Sequence, residues 1–160
     1  MKARLYLETT IVSYLVARPS SNAVIRVRQR ATQGWWDARL ADFEPFASDV
    51  VLSEAADGDV QAARRRLEKL KGIPILQTSP NSEMLAQALI GPGLLPEKAV
   101  RDAAHLAIAA RNQMHFLLTW NFRHIANREI LERVEAVCIK HGCKCPIVCT
   151  PEELMGLKAL

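Results

Sequence analysis

Long apolar runs are missing from this 160-residue sequence. No stretch approaches the roughly 20 residues that a membrane helix needs, so no membrane association is expected. The most apolar N-terminal segment, Leu5 to Val16 behind Lys2 and Arg4, is broken by Glu8-Thr9-Thr10. A signal-peptide core would not tolerate that interruption, and a cytoplasmic chain is expected. Cysteine is scarce: Cys138, Cys143, Cys145 and Cys149 are all there is, crowded into the last quarter. Without an export signal they are expected as reduced thiols. Their C-x4-C-x-C-x3-C spacing, with His141 inside, lacks the paired knuckles of zinc sites, which leaves unrelated thiols as the expectation. There is also no Gly-rich phosphate loop, no hydrolase nucleophile elbow and no paired CxxC. Nucleotide-binding, serine-hydrolase and thioredoxin readings are excluded on that ground. Repeats, low-complexity stretches and interdomain linkers are absent too.

What is present suits one folded unit. Hydrophobic residues make up 49% of the chain, enough for a chain of this length to bury about 70% of its extended surface. One domain spanning 1–160 is expected. The formal net charge of +4 tilts the chain toward a polyanionic partner without identifying one.

Apolar patterning alternates between two periods. Residues 3–7 read as an inner strand, followed by a short helix over 11–15 for which Thr9 or Thr10 supplies the cap. Val24, Val27, Ala31, Trp35 and Ala38 recur at helical steps and predict a long helix over 22–42. Trp35 and Trp36 point about 100° apart on it, so one is expected in the core and the other at a contact surface. A second strand is expected over 45–48, then a one- or two-turn helix over 50–56 stopped at Gly58. Asp59 caps a helix running to 71, closed by Gly72. Its basic run Arg64-Arg65-Arg66, with Lys69 and Lys71, reads as a solvated helix face, as do Arg26, Arg28 and Arg30. A third strand is expected over 73–76, and helices over 80–90 and 97–113. The continuous apolar run at 116–119 has the character of a buried strand. A helix over 128–141, a strand over 147–149, and the capping box Thr150-Pro151-Glu152-Glu153 complete the chain. Strands separated by helices throughout imply an α/β fold: a parallel sheet of about five strands with helices on both faces, in three layers.

In an open parallel sheet, ligands bind beyond the carboxyl ends of the strands. Glu8 follows the first strand, Glu54 lies on the short helix after the second, and Thr119, Asn121 and His124 follow the fourth. Asp102 sits on the helix leading into the fourth strand, at the rim of a stripe formed by Ala99, Ala103, Leu106, Ala107 and Ala110. Each has an ordinary alternative: Asp102 at the positive end of its helix dipole or paired with Arg101 or Lys98, Glu8 as a cap, Glu54 as one of several local acids. Their common address on the sheet is what singles them out.

The pattern resembles the PIN-domain family, including the VapC-type toxins of prokaryotic toxin–antitoxin pairs. The resemblance is carried by Leu5-Tyr6-Leu7-Glu8-Thr9-Thr10-Ile11-Val12-Ser13-Tyr14-Leu15 and by Ser48 through Glu54 to Gly58. It continues through Asp102-Ala103-Ala104-His105-Leu106-Ala107-Ile108-Ala109, Leu117-Leu118-Thr119-Trp120-Asn121-Phe122-Arg123-His124-Ile125 and Thr150-Pro151-Glu152-Glu153-Leu154, in order over nearly the whole chain. It implies a ribonuclease whose sheet-end acids bind one or two Mg²⁺ or Mn²⁺ ions. Carried over, Glu8, Glu54 and Asp102 take the first three acidic positions as metal ligands, and Asn121 falls where a fourth acid or an Asn stands. Glu8 replaces the usual Asp, and Asn121 is neutral, so the site holds three formal negative charges. Thr9 and Thr119 are expected to position water or phosphate, and Arg123 to contact phosphate. His105 and His124 are expected as packed, hydrogen-bonded histidines. The resemblance also implies an RNA substrate, a cognate antitoxin and a homodimer. Glu8 and Asn121 motivate a rival: a PIN-like binding module with weak or no catalysis. A partner protein acting only through the Trp35/Trp36 helix is a third reading.

Overall fold

The computed structural model describes residues 1–157, so the last three residues of the expected 1–160 domain lie outside the described residues. Five parallel strands form one sheet: β1 (Ala3–Leu7), β2 (Phe43–Ser48), β3 (Ile75–Leu76), β4 (Phe116–Leu118) and β5 (Ile147–Cys149), in the order β3-β2-β1-β4-β5. β1 is central, and the chain reverses its direction of winding between β3 and β4, as the three-layer expectation requires.

Side-chain alternation divides the interior into two cores. Tyr6 and Leu117 point to one face of the sheet, while Leu5, Leu7, Phe116 and Leu118 point to the other. Both faces are covered, so these strands read as unbroken apolar runs. The Tyr6 face packs against α3 (Asp49–Ala55), α4 (Val60–Leu70), α5 (Pro80–Ala88), α6 (Val100–Arg111) and α7 (Arg128–Lys140). The opposite face packs against α2 (Ala23–Arg39) and α8 (Pro151–Gly156) through Trp35 and Leu154. α1 (Thr9–Val16) crosses the carboxyl edge and contributes Val12 to one core and Ile11 to the other.

Several expected boundaries move, each for a local reason. α2 ends at Arg39 in a short 3₁₀ turn, Leu40–Asp42, because β2 starts at Phe43, paired with Ala3. β3 is only two residues long, since Pro74 has no N–H and contributes its carbonyl alone, to Ala47 N–H at 3.0 Å. α5 stops at Ala88 and α6 begins at Val100, the intervening turns being held by backbone bonds such as Leu95 N–H to Leu89 O. The predicted stripe of α6 is as expected: Ala99, Ala103, Leu106, Ala107 and Ala110 are all buried. Trp35 is fully buried and Trp36 half-buried. Arg66 departs from the expected solvated face: it turns back and donates to the Ala55 and Asp57 carbonyls, closing the end of α3 that carries Glu54.

Candidate functional site

The cap of α1 builds the first part of the site. Glu8, rather than Thr9 or Thr10, is the N-cap: its carboxylate accepts from Thr10 N–H at 3.1 Å and Thr10 Oγ1 at 2.5 Å. Threonine is the commoner cap because its side chain is short, but α1 starts at Thr9 rather than Ile11, which leaves Glu8 as the last extended residue and puts it in the conformation a cap requires. Thr119 Oγ1, directly after β4, donates to the same Glu8 oxygen at 2.5 Å. Glu8 is thus only 3% exposed, and its charge is held by two hydroxyls and a backbone amide.

Glu54 lies in the last turn of α3, on the Tyr6 side of the sheet. Its Oε1 accepts from Thr9 Oγ1 at 2.7 Å and is 2.6 Å from His105 Nε2. Burial raises the Glu54 pKa, but the hydrogen bonds from His105 and then Thr9 outweigh it and hold this carboxyl below its ordinary value of 4.5. The imidazole of His105 is fully buried, and its Nδ1 is 2.7 Å from Tyr6 Oη, which in turn is 2.7 Å from Ser48 Oγ. The expected packed, hydrogen-bonded histidine is what His105 is.

Asp102 occupies the first turn of α6, where the helix dipole favours a carboxylate. Neither Arg101 nor Lys98 pairs with it; Arg101 reaches Asp57 instead, at 3.3 Å. Asn121 Nδ2 donates to Asp102 Oδ1 at 3.0 Å, and His124 Nδ1 lies 3.0 Å from Asp102 Oδ2. Asn121 N–H in turn donates to Thr119 Oγ1 at 2.9 Å. A continuous hydrogen-bonded path therefore runs from Glu8 through Thr119 and Asn121 to Asp102 and His124.

Potential ligand atoms of Glu8, Glu54 and His105 lie within 4.8 Å of one another. Among the described residues this is the one group of three such side chains so close together, and Asp102 does not join it. The arrangement fits a hard divalent cation: two carboxylates approach each other, and among the described residues Glu54 Oε2 accepts no hydrogen bond while Glu8 Oε2 accepts only one. His105 has both nitrogens engaged, so its evident part is to orient Glu54. Of the other expected site residues, Thr9 and Thr119 each give their hydroxyl proton to a glutamate, and Arg123 is exposed on the loop after β4, two residues beyond Asn121. Tyr6 and Ser48 were not singled out from sequence. A tyrosine inside a buried strand followed two residues later by an acid is the only local signal, and it does not name its partners.

A crystal structure of VapBC2 from Rickettsia felis, bound to a DNA fragment from its promoter, contains a chain of the same fold, with a TM-score of 0.59 and 14% sequence identity over 92% of this chain and 98% of that one. The fold is PIN-like. No protein-family model and no curated protein matches the sequence, so the likeness is one of architecture. The PIN-like architecture agrees with the three-layer sheet read from the sequence. No helix among the described residues is long and apolar enough to cross a membrane.

Proposed function

We propose that this chain is a divalent-metal-dependent endoribonuclease that hydrolyses RNA phosphodiester bonds, the toxin half of a toxin–antitoxin pair that acts in the cytoplasm as a homodimer. The observation that carries the reading is the convergence of Glu8 and Glu54 within one group at the carboxyl edge of the sheet, with Asp102 linked to it through Thr119 and Asn121. Glu8 and Glu54 would hold Mg²⁺ or Mn²⁺. Such an ion supplies Lewis-acid activation of water and offsets charge on phosphoryl oxygens. His105 and Thr9 keep Glu54 ionised and aimed; Thr119 and Thr10 fix the direction of the Glu8 side chain. Asp102 would add a third negative charge at the rim, and Arg123, exposed on the loop after β4, would meet phosphate from solvent.

A second reading rests on Asp102. Both of its oxygens are already partnered, by Asn121 and His124, which suits a PIN-like module that binds RNA or protein with little catalysis. Incubation of a mixed RNA pool with purified protein and Mn²⁺ or Mg²⁺ separates the two. Cleavage that EDTA abolishes is expected; intact RNA at all metal concentrations would favour the binding module.

A further inference from the structure

Phe122 is the residue after Asn121 and stands 44% exposed, while Trp120, two residues earlier, is 5% exposed. Trp120 is locked in place. Its Nε1 donates to Thr32 Oγ1 on α2 at 2.7 Å, its backbone N–H donates to Thr10 Oγ1 at 2.9 Å, and Tyr14 stacks on it at 6.2 Å between centroids. Phe122 meets this anchored indole edge-on at 6.2 Å, and the Arg28 guanidinium lies 4.9 Å from the Phe122 centroid and 5.6 Å from that of Trp120. Arg28, expected from sequence as part of a solvated face, is instead laid across two rings. Through Thr10, which bonds both Trp120 N–H and the Glu8 carboxylate, this aromatic surface is two hydrogen bonds from the acidic group.

We propose that Phe122, braced by Trp120 and Arg28, is a stacking platform for one unpaired base of a single-stranded RNA, immediately beside the place of cleavage. The inference rests on the ribonuclease reading for the nature of its ligand. A part-exposed ring packed against a buried indole, with a guanidinium over one of its faces, matches what single-stranded nucleic acid recognition uses: a remaining π-face for a base and positive charge for the backbone. Arg123, exposed and next in sequence, adds a second cation on the same loop. Bases in an A-form duplex are stacked on each other and cannot reach such a ring, so the platform selects single strands.

The test uses the full chain in EDTA, where cleavage is silent, and fluorescence anisotropy of a labelled mixed-sequence RNA about 12 nucleotides long, within the footprint typical of such surfaces. Single-stranded RNA should bind more tightly than the duplex of the same sequence. Phe122→Ala should weaken single-strand binding by about 10-fold, the effect of losing one base stack, and Phe122→Trp should restore it. Arg28→Lys should weaken it less than Arg28→Ala. Unchanged affinity in Phe122→Ala, equal binding of duplex, or no binding of single strands by the wild type would each overturn the platform; the first of these is also the outcome if the surface serves a protein partner. Mn²⁺-dependent cleavage is measured in parallel. Cleavage without Phe122-dependent binding would sink the platform and leave the ribonuclease reading standing. Phe122-dependent binding without cleavage would do the reverse.

Discussion

His105 Nε2 and Glu54 Oε1 are 2.6 Å apart, and the other ring nitrogen is 2.7 Å from Tyr6 Oη. The protons along this path have a consistent order. Ser48 Oγ accepts from Val51 N–H and donates to Tyr6, Tyr6 donates to Nδ1, and Nε2–H is left to donate to Glu54. Burial, then the surrounding carboxylates, push the Tyr6 pKa up against the opposing Ser48 bond, so the phenol stays protonated and available as a donor. One face of the candidate site is thus oriented from inside the core.

Tyr6→Phe removes that donor while keeping the ring that fills the core. His105 Nδ1 is then buried without a partner, which should cost about 1–3 kcal/mol. Urea unfolding at neutral pH would register it as a lower midpoint with an unchanged slope. An unchanged midpoint would mean that the path contributes nothing to stability.

Glu54→Gln should separate from the wild type in a pH-dependent way. The folded-state pKa of Glu54 is depressed, so its ionised form contributes stability that is fully present above about pH 4.5 and lost as pH falls through the lower folded value. In EDTA the wild type should be the more stable protein at pH 7, and the gap should close under acid. A gap constant from pH 7 down to acid unfolding would contradict the assigned ion–imidazole interaction.

Asp102→Asn is near-isosteric and sits at the rim of the buried stripe, so the fold should survive. The lost charge should lower metal-dependent cleavage by about 100-fold or more, the size typical for removing one electrostatic group from a reacting centre. Wild-type cleavage by folded mutant protein would remove Asp102 from the reaction.

Asn121→Asp replaces an amide that donates to Asp102 with a carboxylate facing another at about the same 3.0 Å separation. Without metal the like charges should lower the melting temperature. A cation between them should reverse the effect, so Mn²⁺ should stabilise the variant more than the wild type. Equal Mn²⁺-induced shifts in thermal melts would show that position 121 does not face the ion.

The thiols should differ in reactivity by face and burial. Cys149 sits in the core beneath α8, and burial, followed by the Glu153 charge, pushes its pKa up to about 12. Cys138 is fully buried in the other core, while Cys143 and Cys145 are half-buried on its edge. In native protein a thiol-specific disulfide reagent should label Cys143 and Cys145 first, and Cys138 and Cys149 only after unfolding. Rapid native labelling of Cys149 would contradict its position.

Local pattern made much of this protein legible. The buried runs at Leu5-Tyr6-Leu7 and Phe116-Leu117-Leu118, the Ser79-Pro80 and Thr150-Pro151 starts, and the stops at Gly58 and Gly72, both at positive φ, are properties of short segments and appear where the pattern puts them. The alternation of these segments is enough to require parallel strands under helices, and with them a carboxyl edge carrying Glu8, Glu54 and Asn121.

Partnership was another matter. Glu8 became a cap because α1 starts at Thr9 rather than at Ile11, with Thr119 brought to the Glu8 carboxylate by the pairing of β4 with β1. Glu54 met His105 across 51 residues of chain, and His105 met Tyr6 across 99. Asp102 turned to Asn121 and His124, rather than to its helical neighbours Lys98 and Arg101, because the loop after β4 passes over the start of α6. A sequence records period, capping chemistry and charge within a turn or two. Which atom of a side chain faces which depends on how α3 and α6 lie against the sheet, and that is settled only when both cores pack.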